Sequence, residues 1–460
     1  MTEYRIESDS LGEVKVPKEA LYGAQTVRAQ HNFHITGQTV HPAMIQSLAY
    51  VKKASALANY EVGELTEEVA KVIMQAADEI IAGDHLEEFA TDAIQGGAGT
   101  SINMNMNEVL ANRAAQLLDE PLGTYQTVHP NDHVNRAQST NDVIPTGGKL
   151  TILFLSEALI DAMEQLVISL EAKAEEYRDV TKVGRTHLQD AVIITFGQVF
   201  QSFATMIRRD IRRIQHALEE MHTINMGATA VGTEINTTPG YKERVAKYLA
   251  EYTGFDFETA EDLVDGTKHI DGFVYVSSAL KSFAASLSRM CNDMRLMASG
   301  PKVGLNEITI PQKQPGSSIM PGKVNPVIFE VTNQACFHVI GNDLTITLAS
   351  EAGQMELNVF EPVLFYNLFQ SIDYLTNACT TLRVNGIEGL TVNEHQASEY
   401  VRQSFALATA VSPQLGYSKV SSLTKQAMKE NRPFVDVLID EGIMTEAELK
   451  EAFPAYFPTN

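Results

Sequence analysis

Small polar residues and glycines are concentrated in a few segments of this sequence, where their types and spacing suit the binding of a small anion. The first segment, Gly96 to Asn105, reads Gly-Gly-Ala-Gly-Thr-Ser-Ile-Asn-Met-Asn. Glycines let backbone N–H groups approach a ligand closely, and a helix that begins after them presents further donors to an anion. Thr100, Ser101 and Asn103 add side-chain donors. A flexible turn followed by a capped helix explains the same residues, and the sequence leaves both interpretations open.

A second polar segment, Gln138-Ser-Thr-Asn-Asp142, stands just before a long apolar repeat. Ser139, Thr140 and Asn141 carry hydroxyl and amide groups that can bind a carboxylate. The same residue types are preferred at helix N-termini, because their side-chain oxygens accept free backbone N–H groups. Capping is the commoner role, so the segment indicates either a helix start or a carboxylate site.

The third segment is a loop from Gly316 to Pro326 that reads Gly-Ser-Ser-Ile-Met-Pro-Gly-Lys-Val-Asn-Pro. Its glycines and prolines exclude helix and strand, yet it retains two hydroxyls, Lys323 and Asn325. Loops of this kind carry function more often than structure. The GxxxxGK[ST] spacing of a phosphate-binding loop is missing, so the loop does not predict nucleotide binding.

A fourth segment, Gly184 to Asp190, places Arg185, Thr186 and His187 next to one another. A lone histidine is more often a structural residue than a catalytic one, so His187 alone does not indicate catalysis. None of the four segments contains a Ser/His/Asp or Cys/His nucleophile motif of known spacing. They share hydrogen-bond donors and few carboxylates, which suits a small polyanionic substrate.

The histidine and cysteine spacings predict no metal site, and no motif predicts a cofactor. His129 and His133 are four residues apart, but the Pro and Asn between them favour a turn, and no third ligand is evident. Cys291, Cys336 and Cys379 lie far apart and form no CxxC pair. We therefore expect buried thiols in a reducing compartment.

Composition excludes two classes of partner. The chain has 460 residues and a formal net charge of −23, which opposes nucleic acid and anionic membranes. The N-terminus resembles no signal peptide, and no run of about 18 apolar residues occurs, so we expect a cytoplasmic, unanchored protein. A site for an anion must work against this charge, which draws attention to Lys323 and Arg185.

Long helices are predicted to position the polar segments. Apolar residues recur at helical spacing between Lys149 and Glu176, at Leu155, Leu159, Met163, Leu166 and Leu170. Similar patterns predict helices from Gln198 to His222, Gly272 to Gly300 and Pro326 to Glu351. We expect a central all-helical bundle from about residue 145 to about residue 390.

The helix from Gly272 to Gly300 carries a heptad seam, which consists of Val276, Leu280, Phe283, Leu287, Met290, Met294 and Met297. A period of 3.5 residues keeps one stripe facing a partner along a helix. We interpret the methionines as core residues rather than as a binding stripe, because methionine fills gaps in helical cores. The seam is more than a slim bundle can bury alone, which favours self-association.

Taken together, these segments resemble the aspartase/fumarase superfamily. The loop from Gly316 to Pro326 is similar to its signature loop, and that match is very specific. The resemblance covers nearly the whole chain in the family's order, through Gly99-Thr100 with Asn103 to Glu108, Asn131 to Asn135, Ser139 to Asp142, Gly184 to Asp190 and Ser299 to Pro301.

The resemblance implies a mainly all-α fold of three domains, whose central long helices form a twenty-helix core in a homotetramer. We expect an N-terminal domain at 1–142, a central bundle at 143–393 and a small C-terminal domain at 394–460. In the last of these, Thr445 and Glu448 predict a helix capping box. Family active sites combine segments from three subunits, which explains why no single stretch holds a complete site.

Within the superfamily, the chain resembles aspartases more closely than class II fumarases. Gly96 to Asn103, Ser139-Thr140-Asn141 and Asn333 to Asp343 follow the aspartase pattern. The implied activity is the reversible deamination of L-aspartate to fumarate and ammonia. Fumarate hydratase is the alternative, and a crystallin-like scaffold without activity is a third interpretation.

Four positions bear on substrate choice. Glu234 stands where relatives usually have Gly, and Ile193 and Phe329 stand where Pro is common. A carboxylate near a dicarboxylate site repels substrate unless it points away or pairs with a cation. His129 matches a secondary anion site of fumarases.

The resemblance also assigns residue roles. The implied catalytic residues are Ser317 and His187, and the implied substrate-binding residues are Thr100, Ser101, Ser139, Thr140, Asn141, Thr186, Ser318, Lys323 and Asn325. By family resemblance, Ser317 is the base that removes a proton next to the β-carboxylate, and an aci-carboxylate forms. His187 and Asn141 are expected near the amino group.

Overall fold

The computed structural model describes residues 3–316 and 318–457, and within them the chain is mainly α-helical. Its α-helices are α1 (Ala24–Asn32), α2 (Pro42–Glu61), α3 (Glu67–Ile81), α4 (Thr100–Leu117), α5 (Thr140–Glu176), α6 (Phe196–Leu218), α7 (Tyr241–Thr253), α8 (Leu263–Lys268), α9 (Asp271–Met297), α10 (Val327–Glu351), α11 (Glu361–Leu382), α12 (Glu394–Gln403), α13 (Ala406–Leu415), α14 (Tyr417–Glu430), α15 (Phe434–Asp440) and α16 (Glu446–Ala452).

Short strands pair in twos. They are β1 (Tyr4–Asp9), β2 (Gly12–Pro17), β3 (Thr181–Thr186), β4 (Gln189–Thr195), β5 (Thr223–Ile224), β6 (Glu258–Thr259), β7 (Ile308–Thr309) and β8 (Thr391–Val392). The pairs β1–β2, β3–β4 and β7–β8 are antiparallel, and β5 pairs with β6 in parallel. The β3–β4 hairpin lies inside the region that we expected to be all-helical, so that expectation was wrong there.

In this hairpin, Val183 lies opposite Ile193 and Thr181 opposite Thr195. The strand β4 ends in Val-Ile-Ile-Thr, and such β-branched residues favour an extended backbone. Gly184 interrupts the register as a bulge, and a Cβ atom there would lie 2.7 Å from the carbonyl oxygen of Val192. The hairpin therefore depends on local chemistry that a helical period does not reveal.

The chain forms two compact units. Unit 1 comprises the described residues of 1–160, 212–282 and 338–375, and unit 2 comprises those of 161–211, 283–337 and 376–460. In unit 1, α2 packs against α3 and α7, and α4 packs against α1 and α3. In unit 2, α12 packs against β3, and α13 to α15 pack together. The expected three-domain division stays a prediction.

The predicted long helices are present. The heptad seam of α9 is buried from Val276 to Met297, which confirms its interpretation as core. A single chain buries it, so the expectation that the seam needs self-association for its burial was wrong. The three cysteines are free and buried. Thr445 and Glu448 form the predicted capping box at the start of α16.

The helix α5 begins at Thr140, earlier than the apolar repeat indicates. Its first turns contain Pro145, Gly147 and Gly148, which normally disfavour a helix. The glycines are needed for packing, because added Cβ atoms would lie 2.6 Å from Leu48 and 2.1 Å from Phe365. Tertiary contact therefore outweighs helix propensity here. Across the described ranges, none of the helices has the length and apolar character needed to cross a membrane.

Candidate active site

The first polar segment in unit 1 is a glycine turn that leads into a helix. Gly97 and Gly99 have φ values of 88° and 86°, in the left-handed region that glycine favours, and α4 begins at Thr100. Thr100 is exposed and Ser101 is half-buried. The Thr100 hydroxyl donates to the carbonyl oxygen of Gly97 at 2.6 Å, so it must rotate before it can donate to a ligand.

The second segment starts α5 and lies beside the first. Thr140 is the first residue of α5, and its Oγ1 atom lies 3.5 Å from Nδ2 of Asn103. Ser139 Oγ accepts the backbone N–H of Asn141 at 3.2 Å, which is the capping role considered from sequence. The helix start and the polar site therefore coincide.

Asn141 has a defined amide orientation. Its Nδ2 group donates to the carbonyl oxygen of Ala230 at 2.7 Å, and its backbone carbonyl accepts from Nδ2 of Asn225 at 3.0 Å. With Nδ2 used in this way, the side-chain oxygen is left to accept a hydrogen bond. An ammonium group is a suitable donor to it.

Beneath the two segments lies a buried polar network. The side-chain oxygen of Asn135 accepts from Nζ of Lys52 at 3.0 Å, from Asn103 at 3.1 Å and from Asn107 at 3.2 Å. Lys52 also donates to Gln138 at 2.9 Å. The network joins α2, α4 and the turn before α5, so it fixes the two polar segments relative to each other.

Lys52 and Asp142 are both fully buried, and the charge of each affects the pKa of the other. Burial lowers the pKa of Lys52 to about 7, although Asp142 opposes the change. Burial likewise raises the pKa of Asp142 to about 7, opposed by hydrogen bonds from three backbone N–H groups and by Lys52. Loss of hydration is the cause of both shifts, because a buried charge loses its favourable contact with water.

A cavity of about 470 Å³ opens beside the turn, and Ser139, Thr140 and Thr229 are among the residues that line it. This volume accommodates a small dicarboxylate with room for water. In unit 1, Ser139 and Thr140 therefore line one cavity, and Thr140 also lies beside Asn103 of α4. Thr100 is not among the residues that line this cavity. Ser101 faces a different cavity, of about 600 Å³, which His129 also lines.

In unit 2, Thr186 and His187 lie at the exposed tip of the β3–β4 hairpin. His187 and Leu188 form its two-residue turn, and their φ values of 55° and 61° are unusual for residues other than glycine. Such backbone strain is often found at functional sites. No hydrogen bond to the His187 ring is found within 3–316 and 318–457, so both of its nitrogens remain available there.

Arg185 serves a structural role. Its Nη1 group lies 2.8 Å from Oε1 of Glu307, which is fully buried, and its guanidinium lies 5.7 Å from the ring centre of Tyr400. Lys182 lies 3.4 Å from the other oxygen of Glu307. Arg185 is therefore held by the carboxylate of Glu307 inside unit 2, which it shares with Lys182, and the interest in Arg185 as an anion ligand was misplaced.

The signature loop is exposed. Ser317 lies outside the described residues, and Ser318, Lys323 and Asn325, which follow it in the loop, are exposed. No ion pair or hydrogen bond to the Lys323 ammonium occurs among the residues that the structure describes. Lys323 is therefore a cation available to an anionic ligand.

The remaining sequence predictions concern isolated positions. Nδ1 of His129 accepts the backbone N–H groups of Asn131 and Asp132, both at 3.2 Å, so it stabilises a turn. Nδ1 of His133 accepts the N–H of His129 at 2.9 Å, and burial lowers the pKa of His133. These contacts confirm the predicted turn. A second anion site at His129 stays a prediction.

Glu234 has φ 57°, in the left-handed region that glycine adopts more readily than glutamate. Its carboxylate is exposed and pairs with Nζ of Lys242 at 2.7 Å. The added negative charge is therefore compensated by a cation. Ile193 lies within β4, and Phe329 is buried in the first turn of α10.

Sequence reasoning missed Lys52, Asn225 and Glu307, which are all buried and polar. A signal existed for Lys52, because it lies at helical spacing from Leu48 and Ser55 on the buried face of α2. No comparable pattern marks Asn225, since it lies in a loop and its partners are distant in sequence.

Comparisons with known proteins identify the family of the chain. A family model described as lyase matches residues 12–341, and one described as fumarase C C-terminus matches residues 407–455. An aspartate ammonia-lyase from a Bacillus species is 50% identical over 100% of this chain and 98% of its own length. The aspartate ammonia-lyases of Bacillus subtilis and Escherichia coli are 48% and 45% identical, over 97% and 98% of this chain and 94% and 95% of their own lengths.

Solved structures show the same fold. A fumarate lyase:delta crystallin from Brucella melitensis bound to cobalt is 43% identical with a TM-score of 0.97, over 99% of this chain and 100% of its own. A class II fumarase from Schistosoma mansoni is 33% identical with a TM-score of 0.94, over 100% of both chains. The chain therefore belongs to the aspartase/fumarase superfamily of lyases.

Proposed function

We propose that this chain is an aspartate ammonia-lyase, which converts L-aspartate reversibly to fumarate and ammonia. The observation that carries the proposal is its 45–50% identity to proteins of that name over nearly the full length of both chains. The polar surface of unit 1 supports it, because hydroxyl and amide groups predominate around the start of α5.

The difficult step is removal of a weakly acidic proton from the carbon next to the β-carboxylate. Negative charge then moves onto that carboxylate, and the site must stabilise it. Thr100, Ser139 and Thr140, with backbone N–H groups near Ser318, are proposed to do so. The position of Thr140 at the start of α5 supports this role, since a helix N-terminus favours negative charge.

The amino group and the α-carboxylate need different partners. The side-chain oxygen of Asn141 is oriented to accept from an ammonium group, and His187 is proposed to lie near the same group. Thr186, Lys323 and Asn325 are proposed to hold the α-carboxylate. The exposed ammonium of Lys323, which pairs with none of the described residues, supports this assignment because none of their carboxylates competes with an anionic ligand for it. Ser101 is a more distant binding candidate.

Ser317 is proposed as the base. A serine hydroxyl is a poor base at neutral pH, so it requires a positively biased, pre-organised loop and a site from which water is excluded. Ile319 is 82% exposed and Met320 45% exposed in this loop, and closure over a substrate would remove both from water. Such burial would favour the closed loop when substrate is bound.

We also propose that the protein is a homotetramer with active sites shared between subunits. Phe337, Ile340, Leu344 and Leu348 form an exposed apolar stripe along one face of α10, here called the α10 stripe. Soluble monomers rarely expose continuous apolar stripes of this kind. A second copy of the chain is the proposed cover, and light scattering should give four times the mass of one chain. The cytoplasmic location stays a prediction.

The activity is tested by supplying L-aspartate or L-malate and measuring the absorbance of the fumarate that forms. Turnover of aspartate alone is expected. Turnover of malate alone would favour fumarate hydratase, which the match to a class II fumarase supports as the second candidate. No turnover of any amino or hydroxy dicarboxylate would favour the crystallin-like scaffold.

Two loop variants test the assigned roles. Ser317→Ala should remove most of kcat while circular dichroism and the tetramer stay unchanged, whereas Ser318→Ala keeps its backbone N–H and should lose much less. Near-normal turnover by Ser317→Ala would exclude the base role.

Lys323→Met should raise KM for L-aspartate and lower kcat to a smaller extent, because a loose carboxylate clamp also misplaces the proton. Lys313→Met is the matched control, since Lys313 is also exposed and lies outside the loop. Equal KM values for the two variants would contradict the clamp assignment.

A further inference from the structure

Asp142 joins two separate pieces of unit 1 through its buried carboxylate. Its Oδ1 atom accepts the backbone N–H of Ser139 at 2.9 Å. Its Oδ2 atom accepts the N–H groups of Gly227 at 3.2 Å and Thr229 at 2.9 Å. One side chain therefore ties the turn before α5 to the loop that follows β5.

Two further hydrogen bonds connect the same turn and loop. The side chain of Asn141 donates to Ala230, and Asn225 donates to the backbone carbonyl of Asn141. All of these bonds involve the residues immediately around Ser139 and Thr140. The positions of both hydroxyls consequently depend on the loop from Asn225 to Ala230, although most of that loop carries no polar side chain suited to a substrate.

A carboxylate is specifically suited to this junction. An ionised carboxylate only accepts hydrogen bonds, so both of its oxygens can face N–H donors. An amide of the same shape has one oxygen, and its NH₂ group must then face an N–H group. Lys52 is buried nearby with hydrogen bonds to Asn135 and Gln138, and its positive charge favours the ionised form of Asp142.

We propose that Asp142 is a positioning residue for the reaction, and the inference rests on the proposed function. Through the backbones of Ser139, Gly227 and Thr229, its carboxylate holds the donors of the turn in the geometry that binds substrate. Asp142 itself does not touch substrate. The buried junction is required for tight binding of L-aspartate and for its correct placement, in addition to its effect on folding.

Asp142→Asn tests the proposal, because it preserves shape and removes acceptor capacity. In the folded enzyme, KM for L-aspartate should rise and kcat should fall, so that kcat/KM drops about ten- to hundredfold. If Asp142 only stabilised the fold, the substitution would lower the melting temperature and leave the KM of the folded fraction unchanged. An unchanged KM would overturn the proposal.

Glu108→Gln is the matched control. Glu108 is also buried, and its oxygens accept the backbone N–H groups of Gly23, Gln25 and Thr26 at the start of α1. The chemical change is the same, but these contacts are to α1 rather than to the turn. The melting temperature should fall while KM stays within about twofold of the wild type. An equal rise in KM for both variants would show that general loosening is the cause, and would overturn the proposal.

A double-mutant cycle with Ser139→Ala tests whether Asp142 acts through the turn. Each single variant should lower kcat/KM by some factor. The double variant should lower it by less than the product of those two factors, because Asp142 acts through Ser139. Independent, fully multiplicative losses would contradict the proposal.

Asn225→Ala provides a second route if Asp142→Asn fails to fold. It removes one bond between loop and turn and keeps the buried carboxylate, so KM should rise by a smaller factor, about threefold or more. An unchanged KM in this folded variant would overturn the proposal.

The activity of the wild type distinguishes a failure of the proposed function from a failure of the positioning role of Asp142. If the wild type converts L-malate but not L-aspartate, the proposed function fails, and the same variants measured with L-malate still test Asp142. If the wild type deaminates L-aspartate and the variants behave as wild type, the positioning role alone fails. A wild type inactive on both substrates overturns both.

Discussion

Gly316 stands where the two ends of the signature loop meet. A Cβ atom at this position would lie 1.9 Å from the backbone carbonyl oxygen of Lys323 and 2.9 Å from its carbonyl carbon. The oxygen belongs to the backbone and cannot be moved by a side-chain rotation. Gly316→Ala must therefore separate the two ends of the loop by more than about 1 Å to reach ordinary van der Waals contact.

The expected effect on activity follows from this displacement. Lys323 and Asn325 are proposed to clamp the α-carboxylate, and Ser317 is proposed to remove the proton. A displacement of about 1 Å in a catalytic group can cost about a hundredfold in rate. We therefore predict that kcat/KM for L-aspartate falls about a hundredfold, which corresponds to about 3 kcal/mol of transition-state stabilisation.

Gly322→Ala is the control within the same loop. Gly322 has φ +82°, and nothing lies within 4 Å of an added Cβ atom. The change costs about 1 kcal/mol for the left-handed backbone and forces no neighbour to move. Its kcat/KM should therefore stay within about fivefold of the wild type.

Steady-state kinetics of fumarate formation, with melting temperatures measured in parallel, compare the two variants. Both melting temperatures should be close to the wild-type value, because the loop is exposed. A Gly316→Ala enzyme with kcat/KM within about threefold of the wild type would refute the reasoning. So would equal losses in the two variants, since backbone strain rather than collision would then be the cause.

Three further predictions concern the scaffold. Glu234→Gly should change the free energy of unfolding by less than about 1 kcal/mol, because relief of the left-handed backbone offsets loss of the exposed ion pair with Lys242. A tenfold fall in KM for L-aspartate would show instead that Glu234 repels substrate. Leu344→Glu should break up the tetramer in light scattering by placing a charge in the α10 stripe, and an intact tetramer would contradict that interface. Leu280→Ala should lower the free energy of unfolding by about 2–5 kcal/mol in denaturant titration, and a loss below about 1 kcal/mol would contradict its place in the core.

The long helices could be predicted because their apolar residues recur with a helical period. The α9 seam, from Val276 to Met297, is buried as expected. Ser139 to Asn141 were considered as a helix cap, and Ser139 does cap α5. The apolar repeat nevertheless indicated the helix only from Lys149, because Pro145, Gly147 and Gly148 signal a break when sequence is considered alone. Their fit against Leu48 and Phe365 depends on residues distant in sequence, and no local pattern encodes that fit.

The candidate site was predicted in part. Residue types identified the polar segments, and the structure places Asn103 of the first beside Thr140 of the second. Helical spacing could have marked Lys52 as a buried residue of α2. The partners of Lys52, Asn135 and Asp142 could not be predicted, because most of their hydrogen bonds join residues distant in sequence. The role of Arg185 was misjudged for the same reason, since its partner Glu307 lies more than a hundred residues away.

The central claim is that the enzyme adds or removes ammonia rather than water. The purified protein, incubated with fumarate and ammonium chloride in water, offers both nucleophiles to one site, and proton NMR identifies the product. Aspartate is the predicted product, with malate below detection. Accumulation of malate in place of aspartate would contradict the account.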